Sequence, residues 1–383
     1  MVYKLSDNII SSLGFSSLEN YQAVKNGKSG LMLHENKFGI PSPFVASLVD
    51  AEKVNDLFSS LSSNSSIHYT HLEKMAILSV NDALSTINVN PADDSVLFIF
   101  STTKGNVELL EKNTTYKKER IYLWRSAELI AQFFGNKNQP IVVSNACISG
   151  VAAQITAQRY LQAQRYKYVI VVGAEVLSKF IISGFQSFKA LSAEKCKPFD
   201  KNRTGLNVGE AAATIIYSST ESFQNIPYYA IILERGAICN DANHISGPSR
   251  TAEGLFDAIT KSMQNYDKNN LSFINAHGTA TPYNDDMESI AIKRSSLDNV
   301  PLNSLKAYFG HTLGAAGVVE TIISSYALQD NIILKSLGFE QLGVVQPIYV
   351  NTSTTLSTKD SFLKLISGFG GCNATILLRK KIT

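Results

Sequence analysis

A cysteine and two histidines, each set in a glycine-marked motif, give this chain the equipment to make and break a thioester. Cys147 lies in Ser144-Asn145-Ala146-Cys147-Ile148-Ser149-Gly150, His277 opens His277-Gly278-Thr279-Ala280-Thr281, and His311 lies in Gly310-His311-Thr312-Leu313-Gly314. A free thiol is only a few per cent ionised at neutral pH, so a nucleophilic cysteine needs help from its setting. Cys147 follows the β-branched stretch Ile141-Val142-Val143 and precedes a segment with small residues, Ser149, Gly150, Ala152 and Ala153. A helix starting there would supply unpaired N–H groups and a positive dipole end, both of which favour thiolate. The ordinary fate of a cysteine is a small buried core position; the strand-to-helix setting argues against it here.

His277 follows the strand-like Leu271-Ser272-Phe273-Ile274-Asn275-Ala276, and His311 follows Lys306-Ala307-Tyr308-Phe309-Gly310. One histidine at such a turn is as well explained as a satisfied core imidazole. Two in matched turns, one of them in the repeat position of the cysteine, are not core filling.

The elements that must position these residues read as a duplication. Cys147 and His311 each have a Gly three residues on, Gly150 and Gly314. Each is later followed by a Thr in matching contexts, Gly209-Glu210-Ala211-Ala212-Ala213-Thr214 and Gly371-Cys372-Asn373-Ala374-Thr375. Paired motifs in one order predict two α/β halves. In the first, a helix with Gln154, Gln158, Gln162 and Arg165 on one polar stripe leads to the buried strand Tyr168–Val172. In the second, the helix from Ala315 to Leu328 is apolar on most sides and is expected to be buried. Punctuation at Ser218-Ser219-Thr220 and Gln224-Asn225-Ile226-Pro227 places the boundary near 222–228, dividing the chain into 1–225 and 226–383. Residues 55–67, rich in Ser and Asn, read as a surface loop, with a second loop at 105–120.

With 383 residues, two packed halves are expected. A net charge of +3 is too small to argue for nucleic acid. No apolar run reaches the ~18 residues that would suggest a membrane span, and Met1–Asp7 lacks the pattern of a secretory signal. The four cysteines, Cys147, Cys196, Cys239 and Cys372, show no pairing or metal-ligand spacing. A reducing, cytoplasmic setting with no bound metal is therefore expected. Of two basic clusters, Lys117-Lys118-Glu119-Arg120 reads as a solvated face, while Lys195, Lys197, Lys201 and Arg203 lie close to the chemistry.

Across nearly its whole length the chain resembles the β-ketoacyl-[acyl carrier protein] synthases, the condensing enzymes of fatty acid and polyketide assembly. The resemblance is carried by Asn145-Ala146-Cys147, by Lys197-Pro198-Phe199-Asp200-Lys201-Asn202-Arg203-Thr204-Gly205, and by Asn240 through Ser249 with His244-Ile245-Ser246. It continues through His277–Asp285, Lys306 five residues before His311, and Ser367-Gly368-Phe369-Gly370-Gly371-Cys372-Asn373-Ala374. It implies a thiolase-like fold, two duplicated α/β halves in α-β-α-β-α layers. It implies that Cys147 carries the acyl chain as a thioester and that His277 and His311 polarise the malonyl thioester as carbon dioxide leaves. Backbone N–H groups at Cys147 and Phe369 would hold the tetrahedral oxyanion. Lys306 and Glu288 look like the family's buried, paired supporting charges, Thr279 and Thr281 like its pantetheine-binding hydroxyls, and Phe369 like its gate. No cofactor is implied beyond the phosphopantetheine of acyl carrier protein. That carrier is acidic, so Arg203 and Lys201 are expected on a basic rim around the entrance. The partner would be a second copy or a chain-length-factor-like subunit.

The chain departs from the family at Cys372, where Thr is usual, and at Ala211, where Gly is frequent. Ser101-Thr102-Thr103-Lys104-Gly105-Asn106 replaces a glycine-richer segment that usually borders the acyl pocket, and residues 50–120 are shorter than usual. A thiolase acting on coenzyme A esters pairs a second catalytic Cys with one His, and two His with Lys306 favour the decarboxylating class instead. A non-catalytic partner subunit would lack the nucleophile. The His277–Asp285 motif looks more like that of specialised polyene or polyketide synthases.

Overall fold

The computed structural model describes residues 1–62, 67–111, 114–220, 231–241 and 249–381. The expected boundary at 222–228 lies outside them, as does His244-Ile245-Ser246. Along the chain run β1 (Tyr3–Ser11), β2 (Met32–His34), β3 (Phe44–Ser47), β4 (Val96–Ser101), β5 (Ile141–Val143), β6 (Tyr168–Glu175), β7 (Val208–Gly209) and β8 (Ala211–Ser218). There follow β9 (Ile231–Asn240), β10 (Leu271–Asn275), β11 (Leu302–Asn303), β12 (Ile332–Ile333), β13 (Thr355–Leu356), β14 (Ser361–Gly368) and β15 (Cys372–Lys380). The helices are α1 (Ser17–Lys25), α2 (Ala51–Leu61), α3 (His71–Ser85), α4 (Leu123–Phe133), α5 (Ser149–Gln162), α6 (Lys179–Ser187), α7 (Glu253–Ser262), α8 (Pro282–Arg294), α9 (Lys306–Phe309) and α10 (Ala316–Gln329).

The duplication is visible in the strand order. The main sheet runs β11-β10-β14-β15-β9-β1-β8-β6-β4-β5. Read outward from the β1–β9 junction, each half repeats one order, and the pairings match: β4 is parallel to β5 and β6, as β10 is to β11 and β14. Each half then closes with antiparallel partners, β6–β8–β1 and β14–β15–β9. The two halves are not separate sheets packed together, because β1 and β9 hydrogen-bond and join them. Thr214 on β8 bonds Ser79 on α3 at 2.8 Å, and Thr375 on β15 bonds Ser262 on α7 at 2.5 Å. The matched threonines do the same work in both halves, tying a buried strand to its outer helix.

The layers follow from where apolar surface is buried. Helices α5 and α10 pack between strands of both halves in the largest apolar cluster. Helices α2, α3 and α4 cover the outer face of the first half, and α7 and α8 that of the second. A Cβ on Gly150 would stand 3.0 Å from Gly314 O and Gly317 N, so only glycine lets these central helices approach so closely. The polar stripe that starts on α5 faces water only at its end: Gln162 and Arg165 are exposed, but Gln154 and Gln158 are not. Gln154 Nε2 donates to Gly150 O and Gly317 O, both at 3.0 Å, and its Oε1 accepts from Tyr217. Gln158 is buried as well and donates to Leu233 O at 3.0 Å. A fully buried amide is tolerated because its donors and acceptor are used.

Two surface expectations change. Residues 55–61 belong to α2, where Asp50 caps the N-terminus and Val54 and Phe58, one turn apart, bury the inner face. This pair outweighs the loop preference of Ser and Asn. The 105–120 segment contains two short 3-10 turns, Val107–Leu110 and Lys118–Ile121. Arg120 is not on a solvated face: its guanidinium meets the buried Glu73 carboxylate, which also takes bonds from Asn106 and Ser126. A carboxylate stripped of water needs such a partner.

Candidate active site

Cys147 stands at the turn between β5 and α5, and the turn is held open against its preference. Ala146 has φ +44°, a left-handed conformation costing a non-glycine residue about 1–2 kcal/mol. The Ser149 hydroxyl stabilises it, donating to Ala146 O at 2.6 Å and accepting from Asn145 N–H at 2.8 Å. Strain of this kind gathers at functional turns. A Cβ on Gly368 would stand 3.1 Å from the Cys147 nitrogen, so the missing side chain brings β14 and the backbone before Phe369 against the nucleophile. The expected thiolate does not follow. Burial, reinforced by the neighbouring Cys372, pushes the Cys147 thiol up to about 12, although Lys104 and Lys306 pull the other way. Desolvation outweighs the helix end, and the resting group is a thiol.

His277 is held at the end of β10 by Glu288, whose two oxygens accept the backbone N–H groups of His277 at 2.6 Å and Gly278 at 2.8 Å. His311 follows α9 and Gly310; its backbone N–H donates to Asn207 O at 2.6 Å and its carbonyl accepts from Gly209. The rings stand edge to face with centroids 5.1 Å apart. The Leu313 N–H donates to His311 Nδ1 at 3.3 Å, which leaves the neutral ring's proton on Nε2. His311 Nε2 and His277 Nδ1 are buried with no hydrogen-bond partner among the described residues. Burial, then the Lys306 ammonium, holds both imidazoles well below the usual histidine range, so both are neutral at neutral pH. Cys147 Sγ and one ring nitrogen from each histidine lie within 4.8 Å of one another.

The supporting charges are wired differently from the expected pairing. Lys306 does not pair with Glu288. Its ammonium meets Glu320 on α10, and the other Glu320 oxygen takes Lys364 from β14. Lys364 also donates to Leu365 O at 2.8 Å. Burial works against the Glu320 carboxylate, but the two ammoniums outweigh it and hold it below the usual range. Burial pushes Glu288 up to about 7 and Lys364 down to about 8. Glu288 is consumed by the His277-Gly278 backbone, leaving no oxygen for Lys306. The positive potential of the site thus comes from a Lys–Glu–Lys bridge.

The profile of the beta-ketoacyl synthase N-terminal domain matches residues 24–222, and that of the C-terminal domain matches residues 229–340. The chain belongs to the beta-ketoacyl synthase family. The 3-oxoacyl-[acyl-carrier-protein] synthase 2 of Coxiella burnetii is 32% identical over 260 residues, covering 64% of this chain and 62% of that protein. A mitochondrial protein of Schizosaccharomyces pombe, described as a putative 3-oxoacyl-[acyl-carrier-protein] synthase, is 28% identical over 68% of this chain and 66% of its own length. The chain thus spans a little under two thirds of these relatives. Among solved structures, a ketosynthase in complex with its chain length factor from Xenorhabdus doucetiae has a TM-score of 0.85 at 22% identity, covering 99% of this chain and 98% of that one. The expected thiolase-like α/β fold is the fold formed.

In this family member Thr279 and Thr281 lie side by side, their hydroxyls 2.8 Å apart, where the His277 turn enters α8. Phe369 is 41% exposed, followed by Gly370 and Gly371 at positive φ, and its ring meets Phe188 at 5.4 Å and Phe185 at 6.2 Å. Cys372 donates to Phe369 O at 3.3 Å and is not one of the three clustered donors. Lys201 is exposed, as a rim residue must be. Arg203 is not: its side chain is 7% exposed, donating to Asp286 at 2.8 Å and to Gly343 O at 2.6 Å. It clamps the 197–205 loop to α8 because two acids, Asp285 and Asp286, draw it inward. Arg203→Glu should therefore lower the melting temperature, at a cost of about 3–5 kcal/mol, and impair carrier-bound and small pantetheine thioesters alike. Lys201→Glu should raise KM for the carrier-bound thioester alone. Thermal melts and paired steady-state assays check both.

Proposed function

We propose that this chain catalyses decarboxylative condensation of an acyl group on Cys147 with a malonyl thioester of acyl carrier protein, giving 3-oxoacyl-[acyl carrier protein]. The observation that carries the proposal is a buried thiol within 4.8 Å of two neutral imidazoles, with His311 Nε2–H buried and unpaired. Cys147 attacks the acyl thioester carbon. The new C–S bond forms as the old one breaks, and the proton of Cys147 ends on the departing pantetheine sulfur, relayed by an imidazole. The malonyl thioester then takes the place of the first carrier, its pantetheine arm held by Thr279 and Thr281 and admitted past Phe369. As its C–C bond breaks and carbon dioxide leaves, the enolate oxygen is held by His277 and His311. The enolate carbon attacks the Cys147 thioester. The resulting oxyanion is held by backbone N–H groups of Cys147 and Phe369, and its collapse expels the Cys147 sulfur, which takes from solvent the one proton that loss of carbon dioxide consumes. Burial, then the Lys306 ammonium, keeps the resting imidazoles neutral, so each can donate to the enolate oxygen and hold the relayed proton only in passing.

A second subunit is part of the proposal. Strand β5 is an edge strand directly before Cys147, and α4, which packs against it, opens on Tyr122 and Trp124, whose exposed rings stack with centroids 6.1 Å apart. An uncovered strand edge beside exposed aromatic rings calls for a partner, either a second copy or a chain-length-factor-like chain. Incubated with acyl and malonyl carrier proteins, the protein should release carbon dioxide and form the 3-oxoacyl carrier stoichiometrically. Recovery of both substrates unchanged, by mass spectrometry, would overturn the proposal.

A further inference from the structure

The Cys147 turn is not alone at its end of the sheet. The parallel strands β5, β4 and β6 lie side by side, with Ser101 in register with Val143 and Gly173. Their C-terminal ends therefore bring Cys147, the Thr102–Lys104 turn and Glu175 to one edge, where α/β sheets bind ligands. The turn is tied to both neighbours. Thr102 N–H donates to Val143 O at 3.4 Å, Ser144 Oγ donates to Thr103 O at 3.5 Å, and Glu175 Oε1 accepts the N–H groups of Thr103 and, at 3.1 Å, Gly314. Glu175 thus joins the Cys147 side of the site to the His311 side.

Two polar groups remain there whose capacity this framework does not use. Glu175 Oε2 is fully buried with no partner among the described residues. The Lys104 ammonium, half-buried, donates to Thr103 Oγ1 at 3.0 Å, and no carboxylate lies within ion-pair distance of it among the described residues. Lys104 and Glu175 are both near enough to act electrostatically on the Cys147 thiol, in opposite directions, and Lys104 acts on His311 as well. A saturated acyl chain laid against these groups would strip water from them and return nothing. An acyl chain bearing an oxygen would accept a charge-assisted bond from Lys104.

We propose that Lys104, seated beside Glu175 at the ends of β4 and β6, makes this site select acyl groups that carry a carbonyl near the thioester, the 3-oxoacyl class, over saturated chains of equal length. This rests on the condensing function proposed above and deepens it. The preferred acyl group is then of the class that one condensation releases, so an unreduced product can be loaded again. Lys104 acts as a specificity-determining residue, outside the Cys147–His277–His311 cluster.

The test is the initial rate of Cys147 acylation by hexanoyl- and 3-oxohexanoyl-pantetheine, read by intact-protein mass, for wild type, Lys104→Met and Lys104→Arg. Wild type should load the 3-oxo thioester about tenfold faster, the discrimination expected of one hydrogen bond to a charged group. Lys104→Met should lose that preference, with hexanoyl loading rising, a gain that a misfolded protein cannot show; Lys104→Arg should retain it. Equal loading of both thioesters by wild type, or an unchanged preference in Lys104→Met, would overturn the specificity assignment and leave the condensing function standing. Failure of every protein to load either thioester would overturn that function and the assignment with it.

Discussion

Cys147→Gln is expected to abolish condensation while malonyl carrier protein continues to lose carbon dioxide. The amide side chain places a carbonyl oxygen beside the backbone N–H groups of Cys147 and Phe369, imitating the acylated enzyme. His277 and His311 are untouched, so the malonyl thioester is still polarised and still decarboxylates. The enolate then meets no electrophile and is protonated, so acetyl carrier protein accumulates. Condensation should fall on the order of 10⁶-fold, the scale seen when a covalent nucleophile is removed. Cys372 should not rescue it: burial pushes that thiol up to about 11, and it is already committed to the Phe369 carbonyl. Cys147→Ser should be poor at both reactions, since a small, weakly acidic hydroxyl leaves the acyl space empty. Malonyl consumption with product identification separates the three proteins. Persistent condensation in Cys147→Gln would remove Cys147 from the nucleophile's role.

The sequence displayed its chemistry more clearly than its wiring. The halves were legible because duplication preserves what a buried strand must do: Thr214 and Thr375 each bond a serine on the covering helix, which keeps the surrounding motifs alike. The three clustered side chains were legible because each needs a glycine-assisted turn at a strand or helix end. Partner choice among buried charges was not, since it depends on which elements face one another rather than on spacing along the chain. Glu288 and Lys306 were expected to pair, yet α10 brings Glu320 to Lys306 and β14 brings Lys364 to Glu320. A signal did exist. Lys364 interrupts the apolar strand Phe362-Leu363-Lys364-Leu365-Ile366, and Glu320 is the lone acid in an otherwise uncharged buried helix. A single charge in such a run demands a partner of opposite sign. Arg203 was misplaced for the converse reason: its charge was read as exposure, when its guanidinium finds Asp286 and the Gly343 carbonyl as partners.

His277→Ala is expected to separate the two half-reactions. Decarboxylation requires negative charge to collect on the malonyl thioester oxygen, and in the proposed function His277 is one of the two donors that receive it. Loss of one such donor costs about 10²–10³ in rate, so carbon dioxide release should fall by that factor. Acylation of Cys147 should suffer far less, because His311 remains with its tautomer fixed by Leu313 and the departing pantetheine sulfur itself can take the thiol proton. Glu288 provides a control on the structural share of the loss. In His277→Ala the backbone N–H groups of residues 277 and 278 still bond Glu288, so the turn should hold and the melting temperature should change little. Glu288→Ala leaves those two N–H groups buried and unpaired, and it should lower the melting temperature along with both half-reactions. Intact-protein mass reads acylation, carbon dioxide release reads decarboxylation, and a thermal melt reads the fold. Should His277→Ala lose acylation and keep decarboxylation, the two histidines' roles as enolate donors would have to be abandoned, whatever the identity of the acyl chain.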